Sequence, residues 1–128
     1  MEVVEILKKA IDQNASDIFF VAGSPCMFKV GQQLVKVTQE KMMPNDTKDI
    51  VQQLYGFAPY CSYENFVANG EDDFSFSLSQ VGRFRVNDQK VIKLSDAKSD
   101  TYLYKSGTRL MELCVVKDME PDLSMGQL

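Results

Sequence analysis

The residues with most chemistry to offer lie in the stretch 71–87, "EDDFSFSLSQVGRFRVN", where Arg83 and Arg85 stand one residue apart. A strand sends alternate side chains to the same face, so two guanidinium groups at this spacing stand roughly 7 Å from each other. Such a pair is a cationic fork suited to a phosphate, or to the carboxylates of another subunit. The competing reading is a solvent-facing sheet surface, with the arginines lying over their neighbours and one ion-paired to Asp73. The residues alone leave both readings open.

Other candidates are weaker. Glu71, Asp72 and Asp73 are neighbours at the start of a strand and point in alternate directions, so a solvated strand entrance is expected rather than a metal or acid/base site. Cys26, beside Pro25 and with no cation near it in sequence, reads as a small packing residue rather than a reactive thiol. Met42 and Met43 read as core filler. There is no histidine, no G-x-x-x-x-G-K-[ST] loop, no G-x-G-x-x-G turn and no G-x-S-x-G elbow. The expectation is a chain that catalyses nothing by itself and holds no metal. Its three cysteines are widely spaced, with no C-x-x-C pair.

Fourteen basic and eighteen acidic residues give a net charge of −4, with the lysines dispersed, so no nucleic-acid partner is expected. Phe74, Phe76 and Phe84 have no basic residues interleaved on their own face and read as core rather than as a base-stacking platform. At 128 residues the chain is long enough for one domain with a real core. The start, "MEVVEILKKA", is too polar and periodic for a signal peptide, and no apolar run approaches a membrane span. A cytoplasmic protein without membrane insertion is expected.

The elements that must position the arginines follow from periodicity. Val3, Ile6, Leu7, Ala10 and Ile11 form one helical stripe. "SDIFFVAG" reads as a strand, and "MFKV" and "QLVKVT" as a hairpin about Gly31-Gln32. Pro44, Asn45 and Asp46 offer turn and N-cap chemistry to a helix carrying Ile50, Val51, Leu54 and Tyr55. A short helix over residues 62–68 should stop at Asn69-Gly70. In the opening stretch, Phe74, Phe76 and Leu78 share one strand face and Phe84 and Val86 share one face of its return. An odd loop, Gln80-Val81-Gly82, would pair Leu78 with Phe84, Phe76 with Val86 and Ser77 with Arg85. "DQKVIKLSDAKSDT" reads as a small strand running into a loop. "YLYKSGTRLMELCVVKDM" reads as a strand pair around Ser106-Gly107, with Leu110, Leu113 and Val115 or Val116 as its core.

The order of motifs resembles a known family. "ASDIFFVAGSPCMFKVGQQLV" is similar to the "ASDxHxxxGxPPxxRxxGxL" pattern of the PilT-like, twitching-motility branch of the type II and type IV secretion ATPases. "EDDFSFSLSQVGRFRVN" resembles that family's "DFSFxxxxxGRFRVN" hairpin, and "ELCVVKDMEPDLSMGQL" faintly resembles its last strand and linker. The resemblance implies an α+β, PAS-like N-terminal domain over residues 1–120: a mainly antiparallel sheet with an N-terminal helix and two helices inserted between strands. Residues 121–128 would lead as a linker towards a nucleotide-binding domain that this sequence does not contain, so the chain is either a fragment or a form that has lost its ATPase half. By resemblance, Arg83 and Arg85 would approach the phosphates of a bound nucleotide, ATP with magnesium, held by a motor domain of the same or a neighbouring subunit. A hexamer would be expected only of a full-length protein, and a peripheral place at the inner face of the cell membrane is compatible with the family. Phe19 stands where the family has histidine, Cys26 replaces a proline and Lys29 an arginine, which loses the planar fork. The alternative is a stand-alone PAS-like module for protein interaction or small-ligand binding.

Overall fold

The computed structural model describes residues 2–91 and 111–122. The expected loop after residue 91, the turn at Ser106-Gly107, Leu110, the side chain of Leu113 and the end of the expected linker lie outside the described residues. Helix α1 (Val3–Asp12) buries Val3, Ile6, Leu7 and Ala10 along the expected stripe. Strand β1 (Asp17–Val21) follows, and β2 (Met27–Val30) and β3 (Gln33–Lys36) form the expected hairpin. In helix α2 (Pro44–Gly56), Met43 takes the N-cap position and Pro44 opens the first turn. The Asp46 carboxylate there accepts from the Met43 backbone N–H at 2.8 Å. The acid was expected before the helix, but serves it from inside its first turn. Helix α3 (Tyr63–Asn69) starts on the Ser62 hydroxyl, which accepts from the Asn65 N–H, and ends at Gly70 in the left-handed conformation, φ 83°.

Strands β4 (Glu71–Leu78), β5 (Gly82–Val91) and β6 (Met111–Pro121) complete a six-stranded antiparallel sheet of order β3-β2-β1-β6-β5-β4. The fold is therefore α+β, an open antiparallel sheet with one leading helix and two between strands β3 and β4. The helices pack on one face of the sheet. That face carries Ile18, Phe20, Phe28, Phe74, Phe76, Phe84, Val86, Cys114 and Val116, all buried in one cluster with the apolar stripes of the helices. Withdrawing a ring such as Phe76 or Phe84 from water is worth about 2 kcal/mol, so this aromatic layer is the main fastening of β4 and β5. Phe76 lies 5.3 Å from both Phe84 and Phe57, centroid to centroid. Val116 is buried, as expected of one of the last strand's two valines. Met42 is buried too, but Met43 is 52 % exposed and is no filler.

The β4–β5 register differs from the expected one by two residues. Phe76 faces Phe84, Phe74 faces Val86, Ser77 faces Arg83 and Ser75 faces Arg85. The loop is Ser79-Gln80-Val81, still odd, so the apolar faces coincide as argued while the pairs change. Gln80 takes the left-handed position of this loop, at φ 68°. Gly82 is needed because a Cβ there would collide with the Glu120 carbonyl oxygen of β6. No helix among the described residues is long and apolar enough to cross a membrane.

Candidate functional site

Arg83 and Arg85 both project from the sheet face opposite the aromatic layer, as their odd positions on β5 dictate, and both are exposed. The pairing places Arg85 in a row that crosses all six strands: Ser75, Arg85, Lys117, Asp17, Lys29 and Leu34. Three cations in that row share one acid. Arg85 and Lys117 are directly opposite, which is repulsive unless further carboxylates stand nearby.

Those carboxylates are present. Arg85 donates from Nε to Asp73 Oδ1 at 3.1 Å and from Nη2 to Asp73 Oδ2 at 2.8 Å, a bidentate pair within β4 and β5. Its Nη1 donates to Asp118 Oδ2 at 3.3 Å. The expected Asp73 link therefore forms, and a second acid joins it. The β5–β6 register slips between Arg83 and Arg85, and Asp118 takes φ 53° at this bulge, which sends its carboxylate to the guanidinium. The hydrogen bonds from Arg85 hold the Asp73 carboxyl below the ordinary aspartate range, and the two acids in turn raise the Arg85 guanidinium.

Arg83 is placed differently. Among the described residues no carboxylate lies within ion-pair distance of it, although Glu120 is its neighbour across β6. It borders two shallow grooves. One, of about 280 Å³, runs beside Ser77, Ser79, Gly82, Glu120 and Asp122. The other, of about 410 Å³, lies along β4 beside Tyr60, Cys61, Ser75 and Ser77. Tyr60 is 80 % exposed.

A further cluster was not expected. Asp72 is half-buried and Asp88 fully buried, and they face each other across β4 and β5. The Tyr55 hydroxyl of α2 lies 2.7 Å from Asp72 Oδ2 and 3.0 Å from Asp88 Oδ2. Burial first, then these two carboxylates, raise the Tyr55 pKa, so the phenol stays protonated. The expected solvated strand entrance thus holds for Glu71 and Asp73, which are exposed, but not for Asp72. The signal was the alternation itself: Asp72 is in phase with Phe74 and Phe76, and Asp88 with Phe84 and Val86. Cys26 is fully buried, and burial pushes its thiol up to about 12, consistent with a packing role. Among the described residues no three Cys, Asp or Glu side chains converge as a metal ligand set.

No profile of a known protein family matches the chain. The type IV pilus ATPase PilU of Pseudomonas aeruginosa is 31 % identical over 87 residues, which cover 68 % of this chain and 22 % of PilU. The type IV pilus retractation ATPase PilT of the same organism is 29 % identical over 87 residues, 68 % of this chain and 24 % of PilT. Among solved structures, the pilus retraction motor PilT with bound ADP superimposes with a TM-score of 0.65 at 25 % identity, covering 92 % of this chain and 29 % of that one. The Legionella pneumophila ATPase DotB gives 0.67 at 19 % identity, covering 98 % and 32 %, a likeness of fold. The chain thus spans less than a quarter of the length of the curated relatives it matches.

Proposed function

We propose that this chain, which matches the N-terminal part of PilT-like secretion ATPases, is a non-catalytic coupling module of a pilus or secretion motor. In this reading the helix-free sheet face meets a nucleotide-binding domain of the same or a neighbouring subunit and turns its positive charge towards the nucleotide's phosphates. That domain would bind ATP and magnesium, and this chain would add guanidinium donors where negative charge develops as the terminal phosphoryl group leaves. Rotation of the module between open and closed poses would link hydrolysis to mechanical work.

The observation that carries the reading is the placement of Arg83 and Arg85 on one exposed strand face, backed by a rigid aromatic layer. The preset geometry matters because donors already in position need no reorganisation as the reaction proceeds. The test is a chimera in which this chain replaces the matching region of PilU. We expect ATP turnover that falls about tenfold or more when Arg83 and Arg85 are both changed to alanine, with folding preserved by circular dichroism. Unchanged turnover in a folded, assembled chimera would remove the proposed role.

A further inference from the structure

We propose that the two arginines are not equivalent: Arg83 is the anion contact, and Asp73 and Asp118 act as built-in competitors that withhold Arg85 from it. The proposal rests on the phosphate reading above and divides its labour. A guanidinium offers a phosphate two-pronged contact along an edge with parallel N–H groups. On Arg85 the Nε–Nη2 edge is filled by both oxygens of Asp73, and Nη1 is drawn to Asp118. A second bidentate partner would have to take the Nη1–Nη2 end in competition with Asp118. Arg85 and the facing Lys117 are balanced by the two acids, so the local sum is zero and Arg85 has no net positive field to draw an anion. The acids come from both flanking strands, Asp73 from β4 and Asp118 from the bulge of β6, so they hold the guanidinium from two sides.

Arg83 differs in its direct contacts. It is exposed, carries no ion pair among the described residues, and stands beside the hydroxyls of Ser77 and Ser79, which can donate to the same anion. Glu120 and Asp122 share that groove and limit its affinity, which favours a contact completed only when another surface closes over it. The bulge therefore sorts two arginines of one strand into a tethered one and an available one.

Tripolyphosphate binding to the 128-residue chain, followed by NMR titration at low salt, reads the difference. We expect Arg83→Ala to weaken binding about tenfold and Arg85→Ala to weaken it less than about twofold. Asp73→Asn should tighten binding several-fold by releasing Arg85, and this gain should vanish in the Asp73→Asn, Arg85→Ala double variant. A gain that persists in the double variant would be a mere field effect and would overturn the competitor role. Equal losses for the two alanine variants would overturn the division of labour while leaving the phosphate reading intact. No binding by the wild-type chain, or binding indifferent to both arginines, would overturn the two together.

Discussion

Replacing Tyr55 with phenylalanine deletes one oxygen from the protein and leaves its shape otherwise unchanged. The ring keeps its contacts, with Phe74 at 4.4 Å, Tyr63 at 5.9 Å and Phe66 at 6.0 Å between centroids. What disappears is the hydroxyl that stands between the facing carboxylates of Asp72 and Asp88. Removing a donor from a buried acceptor costs about 1–3 kcal/mol. Asp88 is wholly buried, whereas Asp72 is partly reached by water, so the loss is that of one largely buried hydrogen bond to a carboxyl group. We therefore expect a loss of about 2 kcal/mol, which in a domain of this size lowers the melting temperature by about 8 °C. Urea unfolding followed by circular dichroism measures the first, and calorimetry the second. A loss below about 0.5 kcal/mol, with an unchanged m-value, would show that the hydroxyl does not stabilise the pair and would refute the reasoning.

Three further outcomes are expected. Gly82→Ala should destabilise by about 1–3 kcal/mol in urea, because the new methyl collides with the Glu120 carbonyl and must push β5 from β6; a neutral result would mean that the strands part freely there. The Asp73 carboxyl, titrated by carbon NMR, should protonate below the usual aspartate range, and Arg85→Ala should return it there. Since the folded value is the lower one, stability from this pair is present above the unfolded aspartate pKa and is lost as pH falls through the folded value. Cys26 should resist thiol reagents at pH 8 in the native chain and react once urea unfolds it, because burial raises its thiol to about 12; rapid native modification would contradict the packing.

Local periodicity made most elements legible. The stripe of α1, the β2–β3 hairpin, and the short α3 with its stop at Gly70 each depend on residues only a few positions apart. Parity also put the phenylalanines on one face of β4 and β5 and the arginines on the other. Register was harder, since loops beginning one residue earlier or later preserve the same parity. Asp118 had no readable role, because its partner lies on a different strand and its orientation comes from a bulge. Asp72 was legible and misjudged: three adjacent acids looked like one solvated cluster, although strict alternation turns the middle one inward.

The position of β6 has a consequence for how the chain comes to exist. This last of the described strands lies inside the sheet, bonded to β1 on one side and β5 on the other. Until the ribosome has released it, the earlier described strands pair as a three-stranded piece, β3-β2-β1, and a two-stranded one, β5-β4, each with a raw edge where β6 will lodge. The nascent domain must therefore wait, with both edges open, for residues 111–121 to arrive.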